Sequence, residues 1–235
     1  MTHQAADYDI DRFAVLRERM VEEQLRRRGI HDPRVIQAML EIPRHEFVDA
    51  SHRDLAYCDM PLSIGFGQTI SQPFTVAFMC QEAQIKPEDK VLEVGTGSGY
   101  GACVLGKLAR EVHTVERIPE LAKQAERRIR KLGFSNVHVH LANGSLGYAA
   151  EAPYDAIIVT ASAAKLPEPY ADQLASGGRI IIPIGSHYDQ SLYRFTRRNG
   201  KELFVEDLGG FLFVPLIGEK GWQERTDESQ LRPGR

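Results

Sequence analysis

The sequence predicts an α/β protein, a doubly wound, mostly parallel Rossmann-like sheet with an N-terminal helical and loop extension and a C-terminal antiparallel strand pair. Three observations carry that expectation. Strand-like and helix-like segments alternate from Lys90 to Pro183, and such alternation implies right-handed crossovers between parallel strands. The first strand runs directly into the glycine-spaced turn Gly95-Thr-Gly-Ser-Gly99, placed where open α/β sheets bind small molecules. Glu116 ends the second strand about 20 residues later, the distance at which a carboxylate reaches the ribose of a bound nucleoside.

Residues 1–10 are expected to form a flexible tail. From Asp11, apolar residues Phe13, Leu16, Met20, Val21 and Leu25 recur near a 3.6-residue period, and Gly29 ends the helix. Asp32-Pro33 then supplies a cap and a first-turn proline for a helix from Arg34 to Leu40, which Pro43 stops. From His45 to Pro73 the periodicity fades, yet Phe47, Tyr57, Leu62 and Ile70 keep the stretch apolar enough for order. Its end, Ile64-Gly-Phe-Gly-Gln-Thr-Ile-Ser-Gln-Pro73, sets two glycines among hydrogen-bonding side chains, a composition suited to wrapping a bound group. Ser71 has two compatible readings: a functional hydroxyl, or the N-cap of a helix from Phe74 to Ala83.

The sheet begins at Lys90–Val94, followed by a helix over Tyr100–Leu108 and a strand over Glu111–Val115. Pro119 opens a helix through Lys131 with Leu121, Ala125 and Ile129 inward, and Gly133 closes it. The third strand, Asn136–Leu141, turns His138 and His140 to one face; with no third ligand nearby, no metal is expected. Ala142-Asn143-Gly144 follows and should face the same crevice as Gly95 and Glu116. Tyr154–Thr160 reads as a fully buried central strand. Pro167–Leu174 reads as a helix, Ser176-Gly-Gly178 as a turn into the strand Arg179–Pro183, and Ser191–Arg197 with Phe211–Val214 as the antiparallel pair. Residues 11–85 and 86–218 are expected to form one compact domain, the latter as cofactor-binding core, with 219–235 a tail.

The chain of 235 residues has a formal net charge of -3 and a pI near 6.3. Neither half concentrates basic residues, which argues against a nucleic-acid or anionic-membrane binder. Arg26-Arg-Arg28 reads as a solvated helix end. Cys58, Cys80 and Cys103 are scattered, favouring reduced thiols over a disulfide framework or a zinc site. No segment approaches the ~20 apolar residues of a membrane span, and the N-terminus lacks the pattern of a signal peptide. A cytoplasmic enzyme is the resulting expectation.

The glycines alone leave the ligand open. A dinucleotide fingerprint in register from Gly95 puts Tyr100 where its third glycine belongs, although a shifted match from Gly97 to Ala102 exists. Glu93 discriminates: a carboxylate two positions before the turn repels a pyrophosphate but can accept hydrogen bonds from an ammonium group. The stretch Val91-Leu-Glu-Val-Gly-Thr-Gly-Ser-Gly99 resembles the first motif of S-adenosylmethionine-dependent methyltransferases. Together with Gly67-Gln-Thr-Ile-Ser-Gln-Pro73 and Phe213-Val-Pro-Leu216, it is similar to the protein-L-isoaspartate (D-aspartate) O-methyltransferase family. Arg44 to Phe47, Tyr57, Asp155 to Thr160 and Gly177-Gly178 extend the resemblance from about Met20 to Gly218.

The resemblance implies S-adenosyl-L-methionine as cofactor and isoaspartyl-containing proteins and peptides as partners, with no nucleic acid or membrane. The methylated carboxylate would collapse to a succinimide and reopen partly as aspartate. By the same similarity Ser71 takes the active-site position. Cofactor contacts fall to Gln68, Thr69, Ile70, Glu93, Gly95, Thr96, Gly97, Gly99, Glu116, Asn143 and Gly144. The substrate backbone falls to Ile64, Gly65, Gln68, Thr69, Ile70, Val214 and Pro215. An acceptor carboxylate with a pKa near 4 is ionised at neutral pH, so it needs no general base, and Ser71 is better read as an orienting donor than as a covalent nucleophile. The family often places its last two strands in an order swapped relative to most methyltransferases, which the sequence does not show. Two positions depart from the family pattern: Asn143 where Asp is usual, and Gly101 where Gln is frequent. Two other readings stay open, a methyltransferase for a different carboxylate and a non-catalytic cofactor-binding protein.

Overall fold

The computed structural model describes residues 12–198, 200 and 202–224; the expected tail at 1–10 and most of that at 219–235 lie outside them. The first helix, α1, covers 12–20, widens into a π turn at Val21–Leu25 and tightens over Arg26–Arg28 before Gly29 at φ 95°. Helix α2, Pro33–Glu41, is capped as expected: Asp32 Oδ1 accepts from the amides of Arg34 at 2.8 Å and Val35 at 3.3 Å. Two short 3-10 turns lead to a hairpin of β1, Leu62–Gly65, and β2, Gln68–Ile70, and then to α3, Pro73–Glu82. The hairpin tip carries three successive residues at positive φ, Gly65, Phe66 and Gly67, so it closes through a conformation that only glycine adopts freely.

The nucleotide-type core follows as β3 Lys90–Val94, α4 Tyr100–Leu108, β4 Glu111–Glu116, α5 Pro119–Lys131, β5 Val137–Leu141 and β6 Tyr154–Val159. Then come α6 Glu168–Asp172, β7 Leu174–Gly185, β8 Gln190–Arg197 and β9 Leu203–Gly210. Among the described residues these strands form a seven-stranded sheet in the order β5-β4-β3-β6-β7-β8-β9. Strands β3 to β7 pair in parallel, while β7–β8 and β8–β9 are antiparallel. The last two strands therefore run outward in chain order.

Alternation along each strand divides the core between the two faces. Val91, Ala156, Ile158 and Ile181 join α1 to α5 in one apolar cluster, whereas Leu92, Val94, Ile157, Val159 and Ile182 join Tyr170 of α6 in the other. Each such aliphatic side chain, at or near zero exposure, contributes about 1.5–3 kcal/mol of burial. At the amino-terminal end of β3, buried Asp89 accepts from Arg179 Nη2 at 2.8 Å, and Arg179 also donates to Ala83 O at 2.7 Å and Asp155 O at 3.1 Å. This pair ties the N-terminal helices to the sheet end remote from the glycine turn.

Four expectations are corrected. The last strand is Leu203–Gly210, not Phe211–Val214. The latter segment threads across strand ends instead: Phe213 N donates to Gln190 Oε1 at 2.8 Å, Ser162 N to Val214 O at 2.8 Å and Leu216 N to Ser162 O at 2.8 Å. Its apolar side chains pack around the sheet's carboxyl edge, while β9 is a half-exposed edge strand whose sequence signal is weak. Helix α6 stops at Asp172, because Leu174 already pairs with Tyr154. For the same reason β7 begins at Leu174 and crosses Ser176-Gly-Gly178 through an irregular register, not at Arg179. Ser71 is not an N-cap: α3 starts at Pro73, behind Gln72, with no side-chain cap.

Candidate active site

At the carboxyl end of the parallel strands, the glycine turn and the hairpin loop enclose one cavity of about 360 Å³. The turn is organised by β4. Gly95 N donates to Val115 O at 2.9 Å, Thr96 N to the same oxygen at 3.2 Å, and Gly97 N to Glu116 Oε2 at 2.9 Å. These three amides are already engaged, and the last is held by a carboxylate. A carboxylate held against the turn disfavours a phosphate there, in agreement with the reading of Glu93.

Gly95, at φ 100°, lies so close to β6 that a Cβ there would stand 2.3 Å from Thr160 Oγ1. That hydroxyl donates towards the carbonyls of Val94 at 3.0 Å and Gly95 at 2.9 Å. Gly97 faces Ile64 of the hairpin, whose Cδ1 would be 3.3 Å from a Cβ. Gly99 has a different task from the one its spacing suggested. It does not line the cavity; a Cβ there would press on Ala125 and Ile129, both at 3.3 Å, so its small size lets α5 pack against the start of α4.

Two carboxyl groups line the cavity. Glu116 is 6 % exposed and uses both oxygens, Oε2 towards Gly97 N and Oε1 towards the amides of Arg117 at 2.9 Å and Ile118 at 3.0 Å. Of about four lone-pair sites on a carboxylate, one is left for a hydroxyl. Glu93 is 1 % exposed. A relay runs to it: Thr96 Oγ1 lies 2.7 Å from Thr114 Oγ1, which donates to Glu93 Oε2 at 2.6 Å. Burial pushes the Glu93 carboxyl up to about 8, the Thr114 bond opposing and nearby Glu116 reinforcing the rise. Gly101 gives Glu93 its room, since a Cβ at 101 would fall 2.3 Å from Glu93 Oε1.

On the opposite wall, Gln68, Thr69, Ile70 and Ser71 line the same cavity, joined by Val214 and Pro215 from the threading segment. Gly144 closes the floor next to Val94, whose Cγ1 would be 2.7 Å from a Cβ. The Ser71 hydroxyl makes no hydrogen bond among the described residues. Ile64, Gly65 and Asn143 lie outside the cavity lining. Asn143 Oδ1 instead accepts from Ser145 N at 3.2 Å and Ser145 Oγ at 2.8 Å, and the residue lines an adjoining depression with Arg117, Ile217 and Trp222.

Sequence reasoning missed three contributors. Thr114 sits on buried β4, where threonine reads only as a β-former, and half-buried Thr160 directly follows β6; their position near strand carboxyl ends was the available signal. Arg44 carried no signal beyond lying in a matched stretch. It is fully buried, donating from Nε to Ala56 O and from Nη2 to Ser71 O, both at 2.7 Å.

A parallel sheet ending in a glycine turn braced by β4, an acidic strand end and a second buried carboxyl defines a Rossmann-like methyltransferase. The chain belongs to the protein-L-isoaspartate (D-aspartate) O-methyltransferase family, whose sequence model matches residues 16–221. Among its relatives, the protein-L-isoaspartate O-methyltransferase of Protochlamydia amoebophila is 51% identical over 205 residues, covering 87% of this chain and 98% of the relative. That of Geobacter metallireducens is 49% identical, covering 89% and 97% respectively. A solved protein-L-isoaspartate O-methyltransferase superposes with a TM-score of 0.79 at 30% identity, over 87% of this chain and 66% of that one. A Plasmodium falciparum chain solved in complex with S-adenosyl-L-homocysteine gives a TM-score of 0.75 at 30% identity, covering 86% and 98%.

Proposed function

We propose that this chain transfers a methyl group from S-adenosyl-L-methionine to the free carboxylate of L-isoaspartyl residues in damaged proteins and peptides, starting their repair through a succinimide. The observation that carries the reading is the continuity of one cavity from Glu93, Gly95 and Glu116 to Ser71, Val214 and Pro215. The residues suit that cofactor: Glu93 and Glu116 are acceptors for an ammonium and for a ribose hydroxyl, and the carboxylate held against the turn disfavours a pyrophosphate. Bound there, S-adenosyl-L-methionine supplies a sulfonium-activated methyl group.

The protein's task is then placement. An isoaspartyl carboxylate enters ionised at neutral pH, so no side chain has to remove a proton from it. The Ser71 hydroxyl, with no partner of its own, donates to one carboxylate oxygen and leaves the other to attack. Gln68 to Ile70 and Val214-Pro215 flank the acceptor backbone, and their largely apolar surfaces limit water at the reacting atoms.

Incubation with radiolabelled cofactor and matched isoaspartyl and aspartyl peptides tests this. Label should pass only to the isoaspartyl peptide and be released by base as methanol. Equal labelling of both peptides, or cofactor binding without any transfer, rejects the proposal.

A further inference from the structure

Arg44 lies behind the cavity wall with zero exposure and, among the described residues, no carboxylate paired to it; its Nη1 has no hydrogen-bond partner at all. Burying a cation without a paired carboxylate costs several kcal/mol, offset only in part by the more distant charge of Asp59, and an aliphatic side chain would fill the same volume without that cost. The contacts it does make join three separate parts of the site. Nε donates to Ala56 O in the turn before the hairpin, and Nη2 donates to Ser71 O, both at 2.7 Å. The guanidinium also lies 4.8 Å from the ring centre of Tyr100, the first residue after the glycine turn and itself part of the cavity wall.

We propose that Arg44 is a positioning residue for methyl transfer: by holding the Ser71 carbonyl, braced on Ala56 and Tyr100, it fixes the direction of the Ser71 hydroxyl and so the line of attack of the acceptor carboxylate. The inference rests on the function proposed above. Ser71 falls in the short link between β2 and α3, where no ladder or helical bond restrains it, and its side chain finds no other anchor. Its peptide plane therefore takes its orientation from the guanidinium. A planar fork can hold two carbonyls at once, which a single ammonium cannot. A misplacement of about 1 Å at a reacting group lowers rate about 100-fold.

The test is a double-mutant cycle in the full chain, with Arg44→Gln, Arg44→Lys and Ser71→Ala alone and in combination. Turnover of an isoaspartyl peptide is measured together with S-adenosyl-L-homocysteine affinity by calorimetry and the melting temperature. Arg44→Gln should lower kcat by about 10- to 100-fold, with peptide KM and ligand affinity within about threefold of the wild type, a change under 1 kcal/mol. Arg44→Lys keeps the charge but not the fork, and should recover little of the loss. Combined with Ser71→Ala, either change should slow the enzyme hardly beyond the slower single variant, because Arg44 acts through that hydroxyl. Multiplying losses in the double variant, full activity in a folded Arg44→Gln, or parallel losses of turnover and ligand affinity would overturn the inference. If Arg44→Gln does not fold, the Arg44→Lys cycle decides by the same criteria. Absence of wild-type turnover strikes the functional proposal; normal wild-type turnover with a multiplicative cycle strikes the role of Arg44 alone.

Discussion

Replacing Glu93 by glutamine puts the electrostatics of the cavity to a quantitative test. The carboxyl titrates near 4.5 in an unfolded chain and is pushed up to about 8 by burial in the native one. Between those values the folded protein retains a proton that the unfolded chain has released, so native stability declines as pH rises. The penalty is absent below 4.5 and complete above 8. At about 1.4 kcal/mol per pKa unit, the full span amounts to on the order of 5 kcal/mol. Glu93→Gln abolishes the titration while keeping an oxygen for the Thr114 hydroxyl, which donates to Glu93 at 2.6 Å. Urea denaturation of the ligand-free proteins at pH 5, 7 and 9, followed by circular dichroism, should show the variant gaining on the wild type by several kcal/mol across that range. Wild-type affinity for S-adenosyl-L-homocysteine should rise through about pH 8 as the carboxylate ionises to meet the ligand's ammonium, while the variant binds weakly throughout. Stability curves that run parallel in pH, or a variant that loses ground at pH 9, refute the reasoning.

Three further substitutions separate the parts of the fold. Gly95→Ala places a methyl 2.3 Å from Thr160 Oγ1 at a φ of 100°, so calorimetry should show ligand affinity falling more than about tenfold, the equivalent of 1.4 kcal/mol. Gly99→Ala presses on Ala125 and Ile129 behind the cavity; it should lower the melting temperature and change affinity much less. Asp89→Asn leaves Arg179 buried without its counter-ion and should cost about 3–5 kcal/mol in urea denaturation. Because that pair sits at the far end of the sheet, the KM for peptide in the surviving folded protein should stay unchanged.

The parallel half of the fold was legible wherever local signals agree. β3, α4, β4 and α5 lie within a residue of their expected limits, because apolar periodicity, opening prolines and closing glycines coincide there. The hairpin was not foreseen as paired strands: Leu62↔Ile70 and Ser63↔Thr69 are defined by partners rather than by their own three- or four-residue patterns. β9 escaped for a related reason, since Phe204 and Val205 are exposed on an edge and the more apolar Phe211–Val214 drew the assignment. At the site, motif spacing placed Glu93 and Glu116 on one cavity, because a strand–turn–helix sequence leaves the backbone little choice, while Ser71 was placed there by the family resemblance. It could not foresee that Gly99 would face a helix or that Asn143 would turn to Ser145. Those outcomes depend on how α5 and the segment after β5 pack, which is a tertiary matter.

The bracing of the glycine turn by β4 bears on how the enzyme meets its ligands. A loop already shaped by Val115 and Glu116 has little ordering left to do on capture, so little affinity is lost to entropy. The methyl donor and its spent form would encounter the same rigid bed, differing only by the methyl group and the positive charge it confers on sulfur. Any preference for fresh over used ligand must then come from that methyl group and its charge, and calorimetric comparison of the two molecules measures their joint contribution.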